Sequence, residues 1–134
     1  MKLALVDTDI VSFYLNGDAK VVQQFSEYLK EYPSISLSII TYYEIKNGLL
    51  FRDAKGKMAK FEAFVSLSQI LPITIESVNH SAQIVASLRK TGIQIIHTDA
   101  LIAGIALKNG LTLVTNNTDD FKSINGLELE NWSK

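Results

Sequence analysis

The side chains in this sequence that could do chemistry are mostly oxygen-bearing, and they gather where apolar runs end. Asp7, Thr8 and Asp9 follow directly on KLALV, and Thr115 to Asp120, in the stretch VTNNTDDF, follow on a second apolar run. A turn uses one or two such residues, so the crowding asks for another explanation. Two more acids stand apart, Glu44 within IITYYEIKNGLLF and Asp99 at the head of DALIAGIAL. Each acid also has an ordinary structural use. Asp7, like Thr8 or Asp9, can cap the helix behind it. Glu44 shares a helical face with Ile40, Gly48 and Phe51, where it needs a partner or an outward tilt into solvent or toward a lysine. Asp99 gains ~0.3–1 kcal/mol from a helix dipole, and Ile102, Ala103 and Ala106 lie on its own face. An Asx turn explains Asp119 or Asp120, with Phe121 as a core anchor.

The elements that must position these acids can be read from periodicity and punctuation. KLALV (2–6) has the uninterrupted apolar character of a strand buried on both faces. DIVSFYLNG reads as a short helix, and Asp18 caps a second, AKVVQQFSEYLKEY, which Pro33 stops. ISLS (35–38) is the next strand, with Ser38 capping the helix IITYYEIKNGLLF. The basic connection RDAKGK leads into a helix running to about Leu71, followed by a third strand at Ile73 to Ile75. Ser77 is expected to cap SVNHSAQIVASLRKTG. TDALIAGIALKNG is the last long helix, and its small residues Ala100, Ala103, Gly104 and Ala106 predict close packing on the sheet. LTLVT (111–115) is the fourth strand and LELEN a candidate fifth. Alternating strands and helices predict an α/β sandwich whose central sheet is mainly parallel. Ligands of such sheets sit at the carboxyl ends of the strands, where VTNNTDDF lies.

Composition narrows the chemistry. The 134 residues suit a single domain, with 13 Lys+Arg against 14 Asp+Glu and a net charge of −1. Phosphate binding must then come from a local patch or a bound cation. There is no cysteine, which excludes thiolate zinc sites and cysteine nucleophiles and agrees with a cytoplasmic setting. Apolar stretches such as LIAGIAL fall far short of the ~20 residues a membrane span requires. On this reading Asp7 and Asp120 follow two strands at one sheet edge, and Glu44 and Asp99 sit near helix starts that approach it. Carboxylates converging without counter-charge repel one another and protonate. A divalent cation removes the conflict, and hard oxygen donors with only two histidines suit Mg²⁺ or Mn²⁺. His80 and His97 are assigned no role.

In order, VDTDIVSFYLNG, YYEIKNG, TDALIAGIALKNG and VTNNTDDF resemble the four motifs of PIN-domain nucleases, in particular the small VapC-type toxins of type II toxin–antitoxin systems. The resemblance spans about Leu3 to Glu130. It implies a PIN-like three-layer sandwich over residues 1–134, with Asp7, Glu44, Asp99 and Asp120 as the acidic quartet. Asp7 and Asp99 would be the principal metal ligands, and Thr115 and Asn117 would arrange the site. Alignment on Asn-x-x-Asp-Phe selects Asp120 over Asp119. Three departures stand out: Asn116 where relatives often carry a basic residue, QIIHT (94–98) where Pro and Gly are frequent, and Asp9 where Asn is frequent.

The implied activity is Mg²⁺- or Mn²⁺-dependent hydrolysis of RNA phosphodiesters, by a toxin that dimerises and binds a cognate antitoxin. Arg52, Lys55, Lys57 and Lys60 are candidate RNA contacts, or equally a solvated surface diluted by Asp53 and Glu62. Tyr42, Tyr43, Leu49, Leu50 and Phe51 supply either core or a partner-binding surface. Two rival readings remain. DTDIV also fits the start of a haloacid-dehalogenase-like phosphatase, with Asp7 as nucleophile and Asp9 as acid/base. A catalytically silent PIN-like binding module would keep the scaffold alone.

Overall fold

The computed structural model describes every residue from Met1 to Lys134. In chain order the elements are β1 (Ala4–Val6), α1 (Thr8–Leu15), α2 (Ala19–Glu31), β2 (Ser36–Ser38), α3 (Ile39–Phe51), α4 (Lys55–Ser66), β3 (Gln69–Leu71), α5 (Ile75–Lys90), α6 (His97–Lys108), β4 (Thr112–Val114), α7 (Thr118–Phe121) and β5 (Leu129–Glu130). The sheet order is β3-β2-β1-β4-β5, and every pairing is parallel. The expected α/β sandwich with a parallel sheet is the observed fold.

The strands are short, and strict alternation sends their side chains to two separate cores. Ala4 and Val6 point into one core with Leu37, α1, α2, α3 and Phe61 of α4. Leu5 and Leu113 point into the other with Ile84 and Leu88 of α5 and Ile102, Ala103 and Ala106 of α6. Helices thus cover both faces, giving three layers. The chain runs from β1 outward to β2 and β3, then returns to pair β4 on the other flank of β1. The switch point of the sheet therefore falls between β1 and β4.

Two boundaries differ from expectation. The third strand is Gln69–Leu71, and α4 ends at Ser66, so the helix and strand both lie earlier than the apolar triplet Ile73 to Ile75 suggested. Ser38↔Leu71 pairing to β2 decides the register, whereas Ile73 and Ile75 are exposed. Thr74, not Ser77, caps α5: its hydroxyl accepts from Ser77 N at 3.1 Å, and Ser77 Oγ returns the favour to Thr74 N at 2.9 Å, a reciprocal capping box. Asp18 and Ser38 cap α2 and α3 as expected.

The small residues of α6 divide their work. Ala103 and Ala106 meet the sheet core as expected, but Gly104 faces α5, where a β-carbon would lie 2.4 Å from the Ser77 carbonyl oxygen. No helix is long and apolar enough to cross a membrane.

Candidate active site

Asp7 is the first residue beyond β1, and its N–H donates to the Val114 carbonyl at 2.9 Å, extending the ladder past Val6↔Val114. That bond sets Asp7 beside Thr115, across the switch point. The structural reading of Asp7 is correct as far as it goes: Asp7 caps α1, its Oδ1 accepting from Thr8 N at 2.8 Å. Its other oxygen accepts from the Thr115 hydroxyl at 2.8 Å. Thr115 Oγ1 in turn accepts from Asn117 N at 3.0 Å. Thr115 therefore orients Asp7 directly, while Asn117 contributes its backbone to the same chain of bonds.

Burial dominates the electrostatics of Asp7. It is 4% exposed, and its pKa rises from 3.8 to about 7, first through desolvation and then through the charge of Asp9; the hydrogen bonds from Thr8 and Thr115 pull the other way, and Asp99 pushes it further up. Asp99 lies in the first turn of α6, which begins two residues before it at His97. Its pKa rises to about 6 through desolvation and then the charges of Asp120, Glu44 and Asp9, in that order. Asp9 is also pushed up by burial, against the lowering effect of its backbone partners. These acids feel one another at a single end of the sheet, and Asp99 is where their fields meet.

Glu44 belongs to this group for a reason its helical face hid. Phe51, on that face, is 90% exposed, and α3 buries Thr41, Ile45 and Leu49 instead. Glu44 sits at the margin of that buried stripe, where Thr8 Oγ1 donates to its Oε1 at 2.6 Å. Thr8 Oγ1 is also 3.0 Å from Thr41 Oγ1, so the Thr41 hydroxyl can supply the complementary proton. Asp120 lies on α7, and its N–H donates to the Asn117 carbonyl. The neighbouring Asp119 pairs with Lys122 at 3.3 Å on the surface. Phe121 is buried as the expected anchor.

No cation answers this concentration of acid. The ion pairs of the chain join the Met1 amino group to Glu31, Lys2 to Glu128, Lys30 to Glu27 and Lys122 to Asp119; none touches Asp7, Asp9, Glu44, Asp99 or Asp120. At the same time, no group of three or more acidic or histidine side chains is gathered tightly enough to hold a metal ion by itself.

The basic stretch does not act as a unit. Arg52 and Lys57 border a cleft of about 110 Å³ together with Thr8, Ser12 and Glu44, so it opens beside the acidic centre. Lys55 borders a different depression with Leu50 and Met58. Lys60 donates to the Leu15 carbonyl at 3.2 Å and lies over the Tyr14 ring, tying α4 to the end of α1. The aromatic and apolar group of α3 divides similarly. Leu49 is core and Tyr42 packs against it, whereas Tyr43 and Leu50 are each 64% exposed beside Phe51. His80 and His97 are exposed and form no part of the centre.

Sequence reasoning named Thr8, Asp9 and Asn116 but gave them no place in the PIN-type centre. Asp9 Oδ1 accepts from Ile10 N at 2.8 Å and its Oδ2 from Asn116 N at 3.0 Å. The signal for Thr8 and Asp9 was present in the Asp-Thr-Asp run at the strand exit; nothing local marks their partners Glu44 and Asn116.

The parallel sheet carries acids at its carboxyl edge from the exit of β1 and from α3, α6 and α7, and the PIN domain family model matches residues 4–127. The chain is 33% identical over 135 residues to the tRNA(fMet)-specific endonuclease VapC of Shigella flexneri, covering 96% of this chain and 97% of that one. It is 36% identical over 129 residues to ribonuclease VapC1 of Rickettsia felis, covering 93% and 92%. A crystal structure of VapBC2 from Rickettsia felis, bound to a DNA fragment from their promoter, superposes with a TM-score of 0.87 at 27% identity, over 97% of this chain and 98% of that one. The chain belongs to the PIN-domain family, among its VapC-type toxins.

Proposed function

We propose that this protein is a metal-dependent endoribonuclease, the toxin of a toxin–antitoxin pair, with Asp7, Glu44, Asp99 and Asp120 as its acidic centre. The observation that carries the reading is the set of mutually repelling carboxylates at the sheet's switch point, none of them joined in an ion pair. Proteins do not ordinarily retain such repulsion without a use for it. The donor set fits Mg²⁺ or Mn²⁺: all hard oxygens, anionic, and short of a closed cage. Mg²⁺ keeps several waters and takes one or two carboxylates plus substrate phosphates, so it does not need three protein ligands in advance. Asp7 and Asp99 are the residues that would hold it, with Asp120 and Glu44 flanking.

When bound, the ion neutralises phosphate oxygens and acidifies a water. Asp7 is held in place by Thr8 N and the Thr115 hydroxyl, so its orientation is set before substrate arrives. Thr8 does the same for Glu44. A carboxylate of the quartet accepts the attacking water's proton as the new P–O bond forms, and the leaving oxygen takes up a proton as the old P–O bond breaks. The family match speaks against the phosphatase reading, and backbone amides on both Asp9 oxygens tie that carboxylate to the chain as a structural group. The exposed Tyr43, Leu50 and Phe51 support an apolar docking surface for a cognate antitoxin.

The test is cleavage of a panel of tRNA, rRNA and mRNA fragments, tRNA(fMet) included, with Mg²⁺, with Mn²⁺ and with EDTA. Both EDTA and Asp99→Asn are expected to lower the rate by about 10²-fold or more. Wild-type protein that cleaves nothing and shows no Mg²⁺-induced rise in melting temperature would instead be a silent binding module.

RNA handling is assigned to Arg52 and Lys57. α4 starts at Lys55 with no side-chain cap and no acid in its first turn, so two lysines sit at the positive end of a helix dipole. An RNA phosphate at that end relieves the unfavourable charge. Arg52→Ala/Lys57→Ala is expected to weaken RNA binding and reduce the slope of log K against log salt by about 1–2. Lys60→Ala should leave that slope unchanged and lower stability instead, which filter binding and thermal melts distinguish.

A further inference from the structure

The segment that leaves β4 and enters α7 carries Thr115 at its start and Asp120 within the helix, and Asn116 between them is gripped from two sides. Its N–H donates to Asp9 Oδ2 at 3.0 Å. Its side-chain Oδ1 lies 3.1 Å from Asn131 Nδ2 and 3.0 Å from Ser133 Oγ, both of which can donate to it. Asn131 and Ser133 are themselves joined, Ser133 N donating to Asn131 Oδ1 at 2.9 Å. Ser133 Oγ is also 2.6 Å from Asn131 Oδ1, so its single proton is shared between two acceptors and the Asn131 amide is the undivided donor. Between them Trp132 is 3% exposed and packs edge-on to Phe25 and against Tyr28, which fixes the C-terminal segment to α2. These residues lie beyond the stretch matched by the family model, which ends at residue 127.

We propose that Asn116 is a positioning residue, latched by Asn131 and Ser133 on one side and Asp9 on the other, that holds the Thr115–Asp120 segment in register with Asp7. Asn116 thus has a use at the position where a basic residue was expected in relatives: it exchanges a charge for a fixed loop. Without the latch, Thr115 and Asp120 keep their chemistry but lose their relative placement. Displacements of an ångström are enough to matter in such centres. The consequence for turnover rests on the nuclease reading above; the latch itself does not.

The experiment uses the full chain and the double variant Asn131→Ala/Ser133→Ala, which removes both donors and leaves Trp132 in place. In EDTA, where no cleavage is involved, exchange of the Asn116 and Asn117 amides should accelerate by about tenfold, while that of β1 amides is unchanged. With Mg²⁺ and RNA, kcat should fall by about tenfold with KM within about twofold. Asn131→Asp should restore both, because the Asn116 amide can turn over and donate to the new carboxylate. Unchanged amide exchange overturns the latch whether or not the protein proves to be a nuclease. Faster exchange with wild-type kcat overturns the positioning role. A wild-type chain that does not cleave RNA overturns the nuclease reading, and the exchange measurement then decides the latch alone.

Discussion

Asp7→Asn is expected to abolish RNA cleavage and, in the absence of metal, to make the protein more stable. Both effects come from one carboxylate. Cleavage is lost because the substitution removes a full negative charge from the residue we assign as a principal metal ligand, and a loss of at least about 10³-fold is expected for a group of this kind. The gain in stability follows from burial. The pKa of Asp7 rises from 3.8 to about 7 in the fold, so the folded state holds this proton more tightly than the unfolded chain. Its contribution is therefore fully present below about pH 4 and is lost as pH rises through about 7. The cost at pH 8 is on the order of 4 kcal/mol, and asparagine does not incur it.

Asparagine also keeps the local bonds. Its Oδ1 accepts from Thr8 N, and its Nδ2 donates to Thr115 Oγ1, which already accepts from Asn117 N and has a second lone pair. Thermal melts in EDTA should show Asp7→Asn above wild type by on the order of 10 °C at pH 8 and level with it near pH 4. Mg²⁺ should raise the wild type and leave the variant where it was, since only a ligand bound to the folded state shifts the equilibrium. An asparagine variant that is less stable than wild type at pH 8 would mean that Asp7 is not an electrostatic liability in the fold. That result would remove the main support for a metal-bearing centre.

The second large effect is structural and lies far from the sheet edge in contact terms. Gly104→Ala should destabilise the protein by about 3 kcal/mol or more, at the upper end of what an inserted methyl group costs in a packed interior. A β-carbon there would stand 2.0 Å from Ser81 Oγ and 2.4 Å from the Ser77 carbonyl oxygen. The serine side chain can rotate away; the carbonyl belongs to the α5 backbone and cannot. Either α5 and α6 separate or one of them shifts along the other, and α6 carries Asp99. Ser81→Ala in the same chain should recover little, because the Ser77 contact remains. Denaturant melts of Gly104→Ala and of the double variant measure both quantities. A melting curve for Gly104→Ala matching wild type would show that the α5–α6 contact is slack.

How much of this the sequence carried can be followed residue by residue. Local rules placed β1, β2 and β4 correctly, and the helices after β1 and β2 as well, because those two exits carry an oxygen side chain that caps a helix, Asp7 and Ser38; the short α7 after β4, read as an Asx turn, has no such side-chain cap. They misplaced β3 because QIL and ITI are equally apolar triplets. Pairing with Ser36 to Ser38 chose between them, and that pairing is a property of two strands together. The same limit applied to α3. Its weak segregation of apolar residues put Glu44 on a face with Phe51, and only packing against α1 and α4 showed that the buried stripe runs through Thr41, Ile45 and Leu49.

By itself the sequence determined the class of fold and marked Asp7, Glu44, Asp99 and Asp120 as candidate acids, since composition, helix caps and residue order are local properties of the chain. Tertiary structure alone decided that Thr8 serves Glu44, that Asp9 and the C-terminal Asn131 and Ser133 hold Asn116, and that Lys60 is a brace while Arg52 and Lys57 face the cleft. Those pairings join residues 15 to 107 positions apart. No short-range rule links them, because their distance is set by the register of β1 against β4 and by the helices that close over it.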